Sequence, residues 1–270
     1  MRNTNLHINS FRSIQLHLNA QDTSAYLGSA TGFLCGFKDR IFLVTNWHVF
    51  SGRNFETETP IHSSAALPGS IHLALTVLAY QDKDSYTPAR TLIENVPLYD
   101  AEANPLYKVH PSLGNDLDVS CLELTAVLNN FQEIKKSLFD CDAELVKLAN
   151  LSVMDPVFIV GYPLKTSTTP NEYPIYKAAT VASEPDAYEK PLFYVDGKTK
   201  KGMSGSPVIK KQSIKIDRSP NGIEIKEGRI DLVGVYSGRD SSSSEESEAE
   251  LGIVWHFKEC VLPILENYDS

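Results

Sequence analysis

Short apolar runs rich in β-branched and aromatic residues, separated by polar, Gly- and Pro-containing stretches, dominate the chain and read as strands. In the first half these runs lie at residues 12–18 and 31–36, at Ile41-Phe42-Leu43-Val44-Thr45 leading into a turn at His48, at Ser70–Tyr80, and at Val119–Leu124. The segments Ser51–Leu67 and Gln81–Pro111, with prolines and mixed charges, predict long loops. Residues 130–149 carry the clearest helical spacing, with Phe131, Ile134 and Leu138 followed by Leu145 and Leu148, and with Asn130 and Asp142 as N-caps. This stretch predicts a helical connection between two halves. In the second half, strands are expected at Asp155–Gly161, ending in a Gly161-Tyr162-Pro163 turn, then at Tyr176–Ala182, Leu192–Val195 and Val208–Lys210. A hairpin around Asn221-Gly222 within Ser213–Arg229 and closing strands at Leu232–Ser237 and Leu251–Trp255 complete the set. A terminal helix over Phe257–Asn267 conflicts with Pro263, which implies a kink or a late start.

Three contexts on this β-rich frame carry chemistry. Ser204 lies between Gly202 and Gly205 in the run Gly-Met-Ser-Gly-Ser-Pro, where glycines allow a tight turn that exposes backbone amides. A serine hydroxyl is a weak nucleophile unless a neighbouring base takes its proton, and the N–H groups of Gly202 and Ser204 are placed to converge on a developing oxyanion. His48, at the end of a buried strand, is the candidate base; the other six histidines lack a comparable setting. Asp118, directly before an apolar run, is the candidate carboxylate that orients the imidazole, with Asp116 two residues earlier as its competitor. Each context alone has a plain alternative: a surface turn for Ser204, a hydrogen-bonded strand-end histidine for His48.

Taken in order, TGFLCGFKDRIFLVTNWHVF, LDVSCLEL, FIVGYPL, GMSGSPV and LVGVYSGR resemble the trypsin-like, chymotrypsin-fold serine peptidases, in the style of bacterial Deg-type proteases without a PDZ domain. The resemblance runs from about Gly28 to the C-terminus. It implies an all-β fold of two six-stranded antiparallel barrels, residues 1–130 carrying His48 and Asp118 and residues 151–270 carrying Ser204, joined by a helical connection over 131–150 and closed by a C-terminal helix. It also implies the roles of His48 as base, Asp118 as orienting acid, Ser204 as nucleophile, and the amides of Gly202 and Ser204 as oxyanion hole. Ser237, Gly238 and Arg239 would line the cleft and pair with extended substrate. Met203 replaces the aspartate that usually precedes the serine, and no Arg/Lys-Ile-Val-Gly-Gly start is present, so activation by N-terminal trimming is not expected. The function implied is a serine endopeptidase, with a noncatalytic peptide-binding module or a nonpeptide acyl hydrolase as the alternatives.

Composition refines this reading. The 270 residues are long enough for a large core, and 42% apolar with 22% charged residues is ordinary for a globular enzyme. A net charge of −9 opposes nonspecific binding to nucleic acid. Cys35, Cys121, Cys141 and Cys260 show no metal or redox spacing, and Val49 stands where secreted relatives would pair Cys35, so free thiols and a reducing, cytoplasmic compartment are expected. The N-terminal residues lack the apolar core of a signal peptide, and no run is long enough to span a bilayer, so no membrane association is expected. No cofactor or metal is implied. The expected partner is a protein or peptide substrate, with a regulatory protein as an option by analogy. Lys198, Lys200 and Lys201 form a basic cluster just before the nucleophile, able to attract acidic side chains or simply to meet solvent, and Ser241–Glu250 reads as a solvated acidic loop that could gate the cleft.

Overall fold

In the computed structural model the described residues are 6–82, 85–135, 138–142, 150–164, 173–212, 215–219, 222–226, 229–239 and 251–269. The acidic run 241–250 and the Asn221 turn fall outside them. The N-terminal unit contains β1 (Ser13–Ala20), β2 (Tyr26–Phe37), β3 (Arg40–Thr45), β4 (Pro68–Asp82), β5 (Ser85–Pro97) and β6 (Ser120–Glu123), paired in the order β5-β4-β1-β2-β3-β6. All of these pairs are antiparallel. The C-terminal unit is a closed six-stranded barrel. Its strands are β8 (Pro156–Gly161), β9 (Ile175–Val181), β10 (Leu192–Asp196), β11 (Pro207–Lys211), β14 (Ile230–Arg239) and β15 (Leu251–His256). Between β11 and β14 a separate hairpin pairs β12 (Lys215–Ser219) with β13 (Gly222–Lys226).

Two expectations change. The loop predicted over Gln81–Pro111 contains β5, which pairs with β4 along most of its length. Its prolines are tolerated because β5 is an edge strand, where a missing N–H costs no ladder bond on the outer side. The single helix predicted over 130–149 is interrupted. Short helices at Thr125–Leu128 and Gln132–Lys135 are followed by a two-residue strand, β7 (Phe139–Asp140), which pairs in parallel with Cys35 and Gly36 of β2. Phe139 is buried edge-to-face against Phe33, so core packing overrides helical spacing here. Residues 143–149 lie outside the described set. At the C-terminus, a π-helical turn (Phe257–Val261) leads into a short α-helix (Leu262–Glu266) with Pro263 in its first turn, where the absent N–H is harmless.

The apolar sides of both units meet in one cluster. Phe33, Phe42, Val44 and Val119 from the first unit pack with Val160, Val235, Trp255 and Phe257 from the second, all of them at most 1% exposed. Burial of each such side chain contributes about 1.5–3 kcal/mol, so the two units are held as one body and the groups on their facing edges keep a fixed separation.

Polar links reinforce that edge. The Ser13 hydroxyl donates to the Val160 carbonyl at 2.7 Å. Thr31 on β2 is the centre of a tighter set: its N–H donates to the Ser204 carbonyl (2.9 Å), its hydroxyl donates to the Gly202 carbonyl (2.8 Å) and accepts from the Tyr162 N–H (2.9 Å). Its own carbonyl accepts from the Thr45 hydroxyl at 2.8 Å. One buried threonine thus ties the first unit to the loop that presents Ser204.

Candidate active site

β3 delivers the chain to Asn46, whose extended backbone turns into the one-turn helix Trp47–Ser51 carrying His48. Trp47, Val49 and Phe50 are buried in the first unit's core, which leaves His48 to face outward with 19% of its side chain exposed. Asp118, fully buried, approaches from the segment before β6. The His48 main-chain N–H donates to Asp118 Oδ1 at 2.8 Å, and His48 Nδ1 lies 2.7 Å from Asp118 Oδ2. The same Oδ2 accepts a short hydrogen bond from the Ser237 hydroxyl. The Asp118 backbone is held in turn by Asn46, whose side-chain amide donates to its carbonyl at 2.7 Å. A carboxylate without solvent, gripped by three donors, fixes both the position of the ring and which ring nitrogen carries the proton. Asp116, the competing candidate, is exposed and among the described residues bonds through its backbone, because residues 111–118 form turns rather than the continuous strand that would have aligned the two aspartates.

Ser204 is presented by a loop that only glycine permits. Gly202 and Gly205 have φ of +93° and +83°. A Cβ on Gly205 would stand 2.0 Å from both the Thr31 carbonyl oxygen and Thr45 Oγ1, and one on Gly202 would stand 2.5 Å from the Tyr162 carbonyl oxygen. The loop is further pinned to β14, since Gly205 N–H donates to the Tyr236 carbonyl (2.8 Å) and Tyr236 N–H to the Ser206 carbonyl (2.9 Å). Met203, 2% exposed, packs into the barrel core, a site where an aspartate would require a cationic partner. Among the described residues no acceptor engages the N–H of Gly202 or that of Ser204. The Ser204 hydroxyl points to the Ser237 carbonyl at 3.4 Å, a long contact, and makes no hydrogen bond to His48 in this structure.

Ser204 and His48 do line one cavity of about 300 Å³, whose other walls are mainly apolar and include Leu27, Ile61, Pro68 and Leu164. Ser204 also borders a second cavity of about 450 Å³ with Thr199, Lys200, Lys201, Tyr236 and Gly238. Of the residues expected to meet substrate, Gly238 lines this second cavity, while Ser237 contacts the machinery itself through its hydroxyl and carbonyl. Lys198 is exposed and outside that lining, and the Arg239 side chain falls outside the described residues. Two contributors had no signal in the sequence pattern, Thr31 and the Ser237 hydroxyl, because each acts across more than a hundred residues of separation on a partner that only the fold reveals.

The cysteines offer no competing nucleophile. All four are free and buried, and burial pushes the thiols of Cys121, Cys141 and Cys260 up, away from the reactive thiolate. No helix among the described residues is long and apolar enough to cross a membrane.

The trypsin-like peptidase domain matches residues 30–214. Similar solved structures include the Rv3671c protease in an inactive form, at 16% identity and a TM-score of 0.42, covering 93% of this chain and 85% of that one. A mutant of Rv3671c from M. tuberculosis H37Rv, also in an inactive form, matches at 13% identity and a TM-score of 0.40 over 97% of this chain and 89% of that one. A thermostable serine protease, AL20, from an extremophilic microorganism matches at 10% identity and a TM-score of 0.49 over 93% of each chain. No curated protein matches the chain.

Proposed function

From the premise that this chain belongs to the trypsin-like peptidase family, we propose that it is a serine endopeptidase acting through Ser204, His48 and Asp118. The observation that carries the proposal is the buried Asp118 carboxylate holding His48 by main chain and ring together, with Ser204 on the wall of the same cavity. Extended substrate adds to β14 at Ser237–Arg239. The Ser204 hydroxyl turns from the Ser237 carbonyl to His48 Nε2, gives up its proton there and attacks the scissile carbonyl carbon. Catalytic hydrogen bonds that are long without substrate commonly close in the reacting complex. The amides of Gly202 and Ser204 receive the negative oxygen, and Asp118 stabilises the imidazolium without taking its proton. His48 then protonates the leaving amine, an acyl-enzyme remains on Ser204, and water, activated by the same ring, releases the acid. Thr31 holds the Gly202 and Ser204 carbonyls, and so fixes the loop that carries the proposed oxyanion amides.

The proposal includes a protein or peptide substrate, no requirement for N-terminal clipping, and a reducing, cytoplasmic setting, supported by four buried free thiols. Matched ester and amide substrates with the same acyl half test the reaction class. Hydrolysis of internal amide bonds is expected from the full-length chain. Ester turnover alone would mark an acyl hydrolase, and tight peptide binding without turnover of either would mark a noncatalytic module.

A further inference from the structure

The second cavity at Ser204 has a chemical character that the triad does not use. In the mechanism proposed above His48 delivers its proton to the leaving amine, which puts the cavity that His48 lines on the leaving-group side. The cavity that Ser204 shares with Tyr236 and Gly238 of β14 therefore faces the acyl half, where the side chain before the cleaved bond must sit. Its lining mixes polar and apolar surface. Thr199 and Tyr236, 5% and 1% exposed, are joined hydroxyl to hydroxyl by a short hydrogen bond. The Tyr236 ring can lie across the barrel wall only because residue 252 is glycine, where a Cβ would come within 2.5 Å of the ring. The hydroxyl pair fixes the Tyr236 ring and Thr199 in place, so selectivity at this cavity falls to the charged groups at its border.

Among the described residues the ionised groups of the lining are both cationic. Among the described residues Lys200 and Lys201 border the cavity and no carboxylate does, Lys201 also borders the first cavity, and neither lysine has an ion-pair partner among the described residues. The net charge of −9 repels acidic ligands at long range. Screening over about 8 Å at physiological ionic strength confines that repulsion, however, whereas a carboxylate inside the cavity meets the ammonium groups at contact distance. A basic substrate side chain would face two like charges and no counter-charge.

We propose that this cavity is an acid-selective subsite, so that the chain cleaves after glutamate or aspartate. The proposal rests on the peptidase reading above and specifies its substrate class. Both lysines are exposed, so the discrimination is electrostatic and screened, on the order of tenfold between a glutamate and its uncharged glutamine isostere.

The test uses the full chain and a set of internally quenched peptides differing only before the cut, with Glu, Asp, Gln, Leu or Lys, alongside a fluorophosphonate probe for reactive serine. Expected are kcat/KM values for Glu and Asp about tenfold or more above Gln and higher still above Lys, a Glu-to-Gln ratio that shrinks as salt is raised, and inversion of that ratio in Lys200→Glu/Lys201→Glu. Cleavage that is equal or better after Gln, Leu or Lys, with the serine labelled by the probe, overturns the acid-selective subsite and leaves the peptidase reading standing. Failure to cleave any peptide together with failure to react with the probe overturns both.

Discussion

Replacing Ser204 with alanine is expected to lower kcat/KM for peptide hydrolysis by about 10,000-fold or more while leaving the fold in place. The magnitude follows from what is removed: without the hydroxyl no acyl-enzyme forms, and only binding and oxyanion stabilisation remain to accelerate attack by water. Stability should change little, within about 1 kcal/mol, because among the described residues the hydroxyl makes only a long hydrogen bond of 3.4 Å and the loop is held instead by backbone bonds from Gly205, Ser206 and Thr31. Initial rates on a cleaved peptide, with thermal unfolding measured in parallel, check both halves. Hydrolysis by Ser204→Ala at the parent rate would remove Ser204 from the mechanism.

Asp118→Asn should be nearly as severe in activity and, unlike Ser204→Ala, should also weaken the fold. The parent carboxylate accepts from the His48 N–H at one oxygen and meets the ring and the Ser237 hydroxyl at the other. Asparagine offers one accepting oxygen and one amide donor. If the amide faces His48 Nδ1, that nitrogen must become the acceptor and the proton moves to Nε2, which can then no longer take one from Ser204. The expected loss in kcat is about 10,000-fold. A buried donor left without an acceptor adds a stability cost of about 1–3 kcal/mol, so turnover has to be compared well below the unfolding transition of the variant. A loss of stability with undiminished kcat would make Asp118 a structural residue only.

These two residues also mark how far the sequence could be read. Ser204 and His48 stood out because their local settings, a glycine-flanked turn and the end of an apolar run, are themselves written in consecutive residues. Asp118 was less separable from Asp116, since alternation puts both on the same side of an extended strand; the turns at 111–118 bury one and expose the other. Most strands followed their apolar runs. β5 did not, because its prolines and charges suit an edge position that only the sheet order defines. The helical spacing at Phe131, Ile134 and Leu138 was real but short-lived, and Phe139 left it to pack on Phe33. Thr31 and the Ser237 hydroxyl were illegible for a different reason. Their partners, Gly202 and Asp118, are distant in sequence, and neither threonine nor serine in a strand signals a positioning role until the two units are docked.

The claim beneath all of this is that the hydroxyl of Ser204 is activated by the imidazole of His48. Peptide mapping by mass spectrometry after treatment with a fluorophosphonate tests it most directly. One adduct is expected, on Ser204, formed rapidly in the parent chain and suppressed in His48→Ala. An adduct on another residue, or labelling of Ser204 at the same rate without His48, would contradict it.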